Sequence, residues 1–236
     1  MTVSNAEIKK VRSLREKKFR DETRLFVVEG EKMVREALGS GWDVVSVYRR
    51  ETVGEEAMER MSSLSSPSPV LAVVRQKETE GFRGPRPGLC LALDAIRDPG
   101  NLGTIIRLAD WFGVDTIFAS PDTVELYNPK VIQSSMGSVF RKNVIYCDLT
   151  QVCRSYREAG RKVCGTFLGG SDIYRADLDG DALVVMGNEA NGISGPVGAL
   201  ADMRLTIPCF APDGAAPESL NVAVATAVVM SEFRRR

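Results

Sequence analysis

The stretch DAIRDPGNLGTIIRLADWFG, residues 94–113, joins two apolar runs, LCLALD (89–94) and VDTIFAS (114–120). Pro99 and Gly100 make a turn, and Asn101 stands where a side chain can cap the helix that carries Ile105, Ile106 and Leu108. Strand, turn, helix and strand in that order predict a parallel pair. The unit recurs downstream as a helix near 129–136, NVIYCD (143–148), a helix near 150–159, KVCGTF (162–167), ALVVMG (182–187), MRLTI (203–207) and a last helix through VAVATAVVMSEF (222–233). These strands are continuous apolar runs, so both faces of their sheet must be covered. The prediction is an α/β domain over residues 89–236 with a parallel sheet and no internal repeat.

Upstream lies a smaller α/β unit, placed at residues 1–80: LFVVEG (25–30), a helix through Met33, Val34 and Leu38, WDVVSVY (42–48), a short helix around 54–61 and VLAVV (70–74). The polar, Gly- and Pro-containing segment QKETEGFRGPRPG (76–88) reads as the linker between the two. At the start, Ser4 and Glu7 have capping-box spacing, and Ile8, Val11 and Leu14 recur at helical intervals, predicting one helix over 5–18. Lys9, Lys10, Arg12, Arg15, Lys17, Lys18, Arg20 and Arg24 outnumber Glu7, Glu16, Asp21 and Glu22 by four. Each alone is a solvated surface charge; the stretch as a whole suits a phosphate backbone.

The 236 residues balance 31 Lys and Arg against 31 Asp and Glu and include no histidine. With 44% hydrophobic residues the chain can bury a substantial core. The lack of histidine excludes His-based triads, His-ligated metals and imidazole relays. Zero net charge argues against attachment to nucleic acid or membrane by bulk charge, which leaves local basic faces. Cys90, Cys147, Cys153, Cys164 and Cys209 form no CxxC pair and are odd in number, so reduced, mostly buried thiols are expected and no metal site is called. The charged N-terminus does not resemble a signal peptide, and no run approaches the ~18 apolar residues of a membrane span, so a cytoplasmic location without membrane partners is expected.

Ligands of open α/β sheets gather beyond the carboxyl ends of the strands, which directs attention to the loops after the apolar runs. In the first, Arg107 sits among Ile105, Ile106, Leu108 and Ala109, and its guanidinium calls for a carboxylate or phosphate partner. In the second, VVMGNEANGIS (184–194), turn-forming Gly and Asn explain everything except Glu189, a natural partner for Arg107. In the third, IPCFAPDGAAPESLNVAVATA (207–227), Ser219 reads as the N-cap of a small-residue helix, after prolines at 208, 212 and 217. Each loop alone has an ordinary structural explanation. Only Gly100 and Gly103 are present where GxGxxG would be needed, and GxxxxGK[ST] is missing, so dinucleotide and triphosphate binding lack support.

Taken in order, DPGNLGTIIRLADWFG, MGNEANGIS and ESLNVAVATA resemble the three signature motifs of the SpoU/TrmH family of SPOUT RNA methyltransferases, over residues 89–236 as a whole. VVEGEKMVREAL (27–38) is similar to the small ribosomal-protein-like substrate-binding module that many members carry. The resemblance implies methyl transfer from S-adenosylmethionine to a ribose 2'-oxygen, a deep trefoil knot and a homodimer. It assigns catalytic roles to Asn101, Arg107, Glu189, Ser219 and Asn221, and cofactor contacts to Thr166, Leu168, Gly187, Ile207 and Leu220. The family-based role of Arg107 is activation of the hydroxyl. An arginine seldom gives up its proton, so the other implied role is to hold phosphate and polarise the hydroxyl, with Asn101 and Ser219 ordering the nucleophile and Glu189 orienting Arg107. The chain departs from the commoner pattern in a longer 207–219 segment and in Asp98-Pro99 where many relatives have Asn-Pro. The resemblance of the first unit favours ribosomal over transfer RNA. The rival readings are a non-catalytic RNA binder on the same fold and a knotted enzyme acting on a base nitrogen, against which ESLN (218–221) speaks.

Overall fold

A computed structural model of the chain describes residues 3–78, 80–212 and 218–235. The first part comprises α1 (Asn5–Ser13), α2 (Lys17–Thr23), β1 (Leu25–Glu29), α3 (Glu31–Gly39), β2 (Val44–Arg49), α4 (Arg50–Val53), α5 (Glu55–Met61) and β3 (Val70–Arg75). Its strands form an antiparallel sheet in the order β1-β3-β2. Period-two alternation sorts the side chains: Leu25, Leu71 and Val73 go to the face under α1 and α5, and Phe26, Val28, Ala72 and Val74 to the other.

The single helix expected over 5–18 is two helices. Ser4 Oγ accepts from the Glu7 N–H at 3.2 Å as the capping box requires, but Tyr48 Oη takes the Glu7 carboxylate at 2.7 Å. The break comes at Leu14 and Arg15, whose carbonyls accept from Arg20 Nη1 at 2.8 and 2.7 Å. A buried arginine thereby satisfies the groups that a continuing helix would have paired. Arg20 is therefore no part of the basic face, unlike the exposed Lys9, Lys10, Arg12, Lys17, Lys18 and Arg24.

The second part comprises β4 (Cys90–Leu93), α6 (Pro99–Trp111), β5 (Thr116–Ala119), α7 (Pro129–Ser135), a 3₁₀ turn (Ser138–Phe140), β6 (Asn143–Tyr146), α8 (Leu149–Glu158), β7 (Val163–Asp172), β8 (Leu183–Met186), α9 (Gly195–Gly198), β9 (Met203–Thr206) and α10 (Val222–Arg235). The six strands run in the order β6-β5-β4-β8-β7-β9, every pair parallel. Both faces are covered: Leu91, Leu93, Val184 and Met186 pack with α6, α7 and α10, whereas Ala92, Phe118, Leu183 and Val185 pack with α8 and Val197 of α9. α6 and α10 lie side by side with like ends together, since Asn221 meets Asn101 at one end and the Arg234 guanidinium bonds the Phe112 and Gly113 carbonyls at the other. The cysteines are free, with Cys90, Cys153 and Cys164 buried and Cys209 exposed. Among the described residues no helix is long and apolar enough to cross a membrane.

Candidate active site

α6 begins one turn earlier than an Asn101 cap would place it. The cap is Asp98, whose Oδ1 accepts from the Asn101 N–H at 2.9 Å, with Pro99 at the first helical position. The Asn101 side chain is thereby left free of the cap. At the far end of the chain the helix cap is likewise displaced: Asn221, not Ser219, accepts from the Ala223 and Val224 N–H groups through Oδ1, at 2.9 and 3.2 Å. Ser219 is exposed and makes no hydrogen bond among the described residues.

These caps dictate what the two amides can do. Asn221 Oδ1 is committed to α10, so its Nδ2 points outward and donates to Asn101 Oδ1 at 2.9 Å. With its oxygen taken, Asn101 presents Nδ2, which donates to Glu189 Oε1 at 2.7 Å. Helix N–H groups thus fix one amide, that amide fixes the next, and the last fixes a carboxylate. Glu189 stands beside the N-termini of α6 and α10, where the helix dipoles favour negative charge.

The second loop is pinned at both ends. Asn188 Nδ2 donates to the Ala95 carbonyl at 2.7 Å, and Asp94 Oδ2, at the exit of β4, accepts from the Ser194 N–H at 2.8 Å. Asn188 and Gly192 exchange backbone hydrogen bonds, both at 2.9 Å. A Cβ on Gly187 would lie 2.3 Å from Gly192 C and Ile193 N, so only glycine lets the chain double back there. Asp94, Asp98 and Asn188 were missed as site builders. Asp-Pro ahead of a helix is a legible cap signal; Asp94 carried none beyond its place at a strand end.

Arg107 does not meet Glu189. It is exposed, and among the described residues no carboxylate lies within ion-pair distance of it. Its face of α6 also bears Thr104 and Trp111, the latter 84% exposed. The packed surroundings expected for Arg107 belong to Ile105 and Ile106, which point the other way into the core.

Of the residues assigned to the cofactor, Gly187 and Ile207 directly follow β8 and β9, Thr166 and Leu168 lie within β7 between those strands, and Leu220 precedes α10. Pairing of β7 with β9 jumps from Thr166↔Leu205 to Ser171↔Leu205, so Phe167–Gly170 bulge out with their main chain unpaired by the sheet. Thr166 Oγ1 donates to the Val185 carbonyl at 3.0 Å, and Thr206 Oγ1 to the Leu168 carbonyl at 3.1 Å. Leu168 is 81% exposed, Leu220 is exposed and Ile207 half-buried. The bulge leaves main-chain groups beside exposed apolar side chains, a surface able to offer a ligand both hydrogen bonds and apolar contact. The stretch at 213–217, within the long loop, lies outside the described residues.

Two family models match the chain: the SpoU rRNA Methylase family over residues 88–231, and the MRM3-like substrate binding domain over residues 5–77. The chain is 30% identical to the 23S rRNA (guanosine(2553)-2'-O)-methyltransferase RlmP of Bacillus subtilis, over 99% of this chain and 98% of that one. Among solved structures it is similar to an AdoMet-bound rRNA methyltransferase from Sinorhizobium meliloti, with TM-score 0.88 and 31% identity over 100% of this chain and 97% of the other. It is also similar to a Porphyromonas gingivalis protein assigned to the TrmH family of RNA methyltransferases, with TM-score 0.87 and 35% identity over 100% and 99%.

Proposed function

The chain belongs to the SpoU rRNA methylase family, and we propose that it methylates a ribose 2'-hydroxyl of ribosomal RNA at the mouth where Asn101, Glu189 and Asn221 meet. It is an S-adenosylmethionine-dependent RNA methyltransferase, in keeping with its family, a relative named as an rRNA 2'-O-methyltransferase and a similar structure with AdoMet bound. The observation that carries the site is the hydrogen-bonded chain Glu189–Asn101–Asn221, which draws together three loops far apart in sequence.

The β7 bulge at Thr166 and Leu168, Gly187, Ile207 and Leu220 would hold the cofactor by main-chain hydrogen bonds and apolar contact. When bound, it supplies an electrophilic methyl on a sulfonium. The protein's task is geometric, since in-line transfer needs the 2'-oxygen near the methyl carbon, and positioning of this kind is worth as much as about 7–11 kcal/mol. Arg107, exposed and with no ion pair among the described residues, takes an RNA phosphate while polarising the hydroxyl. Ser219, exposed and uncommitted among the described residues, is available to the nucleophile. Glu189 orients Asn101 and not Arg107, and its charge would favour the positive sulfonium of a bound cofactor.

The 1–80 unit holds the RNA and the 89–236 unit performs the transfer, with 76–88 between them. β9 stands at the sheet edge while α10, later in the chain, is seated on α6, and this arrangement supports a deep trefoil knot. The exposed apolar side chains of Trp111 on α6 and Val224 on α10 form the surface by which two copies pair as a homodimer, beside Arg107. A cytoplasmic setting fits relatives whose names place their action on ribosomal RNA. The test compares ribose methylation across total RNA with and without the protein: one position should lose its 2'-O-methyl group, and an unchanged profile would reject the reading. Calorimetric titration with S-adenosylmethionine separates an enzyme from a binding protein, and Arg107→Lys, which keeps charge but loses the forked geometry, should turn over at least tenfold more slowly.

A further inference from the structure

The seam between the two parts of the chain is itself a device. The inner face of the small sheet, with Met33, Val34 and Ala37 of α3, enters the same core as Val131 and Ile132 of α7. Four aromatic rings close the seam: Phe26 lies 4.8 Å from Tyr127 and 6.0 Å from Trp42, and Trp42 lies 5.3 Å from Phe140. Polar groups cross it too. Trp42 Nε1 donates to the Phe140 carbonyl at 3.2 Å, the Lys77 N–H donates to Tyr127 Oη at 3.1 Å, and Arg141 pairs with Glu36. Joined parts of a chain ordinarily move about a linker, but a desolvated aromatic seam with its polar groups paired does not hinge.

At the rim, next to the basic helices, stands Arg20, only 2% exposed. One arm of its guanidinium holds the Leu14 and Arg15 carbonyls at the turn between α1 and α2, and the other pairs with Glu125. Glu125 lies in the loop leaving the carboxyl end of β5, the end of the sheet where Asn101 and Glu189 meet. That loop continues into Asn128, which caps α7, and α7 packs on Gly103 of α6 with Lys130 3.6 Å from Asp98. The path from Arg20 to Asn101 runs through the Arg20–Glu125 pair, the α7 cap and the close α7 contact at buried Gly103, with the exposed Lys130–Asp98 pair beside it.

We propose that Arg20 is a positioning residue that fixes the cationic α1–α2 pair at a set distance and angle from the reacting site, so that the molecule gauges which ribose of a bound RNA is presented. The proposal rests on the RNA-methylating reading above. It explains why an arginine is buried at the turn between two helices whose other cations face solvent, and why its carboxylate comes from the other part of the chain.

The test is the double variant Arg20→Met/Glu125→Met, which replaces the ion pair by apolar groups of similar length and leaves no unpaired buried charge. Its affinity for S-adenosylmethionine should match that of the wild type. Its kcat/KM on full-length ribosomal RNA should fall tenfold to about a hundredfold, the scale of a misplacement of ~1 Å. Mass mapping should find methyl groups spread over neighbouring riboses instead of one, a readout that mere loss of stability would not produce. Should the double variant not fold, Glu125→Gln, which keeps shape and the Leu14 and Arg15 bonds, carries the same measurement. Single-site methylation at wild-type efficiency would overturn the proposal. If the wild type itself methylates no RNA, the underlying reading fails instead.

Discussion

Asn221 serves two partners with one amide: its oxygen caps α10 and its nitrogen orients Asn101. Aspartate caps a helix as well as asparagine but cannot donate, so Asn221→Asp separates the two roles. Stability to urea should change by less than about 0.5 kcal/mol, while single-turnover methyl transfer should fall on the order of 10²-fold. Equal rates would show that the amide chain is incidental. Asn101, Glu189 and Asn221 were all legible as candidates, but their pairing was not, because residue identity does not say which way an amide faces. The Arg107–Glu189 pair was wrong for a reason available beforehand. Six residues at about 100° each place Arg107 roughly 120° around the helix from Asn101, and Asn101 is what holds Glu189.

Among the elements, α6 shows how caps and close contacts set the cleft. The Asn101 N–H foremost holds the Asp98 carboxyl below the usual carboxylate range against the opposing effect of burial, with Lys130 and the Gly100 N–H adding to the lowering. A carboxyl whose pKa is depressed on folding stabilises above its unfolded value, near 4, and loses that contribution as pH falls through the folded value. Asp98→Ala should therefore cost about 1 kcal/mol at pH 7 and much less near pH 2, as read by urea unfolding at the two pH values. A penalty equal at both would remove the carboxylate from the cap. Where α6 meets α7, a Cβ on Gly103 would sit 2.5 Å from Ser134 Cβ and 2.6 Å from the Val131 carbonyl. Alanine gains up to about 1 kcal/mol of helix propensity, yet overpacking costs about 1–3 kcal/mol, so Gly103→Ala should destabilise on balance. The longer helices and the strands were legible from their patterns, whereas the one-turn α4 and α9 were not, being too short to show a period, and a single helix stood where α1 and α2 are two. The break between α1 and α2 depends on Arg20 reaching back to Leu14 and Arg15, and a helical pattern gives no sign of a tertiary competitor for its carbonyls.

Across the whole molecule, apolar runs without alternation foretold a parallel sheet covered on both sides. The order β6-β5-β4-β8-β7-β9 was beyond reach, because strand neighbours are chosen by crossovers and not by composition. The meeting of the three loops came through resemblance, while the seam against the first part of the chain had no signal in either half alone. Burial drives the Cys153 thiol up to about 12 and those of Cys147 and Cys164 to about 11. In a native thiol titration at pH 8 only Cys209 should react quickly, and a second fast thiol would contradict the packing of the core. Neutralising Lys9, Lys10, Lys17 and Lys18 together, all exposed, should lower the salt dependence of RNA binding by up to about 3 in log–log slope and spare cofactor affinity. The most direct measurement incubates the protein with ribosomal RNA and S-adenosylmethionine labelled in its methyl group, then identifies the labelled nucleoside by mass. The label should appear on a ribose 2'-oxygen in the wild type and fall by about 10²-fold in Asn101→Ala; label on a base nitrogen, or undiminished transfer by that variant, would contradict the account.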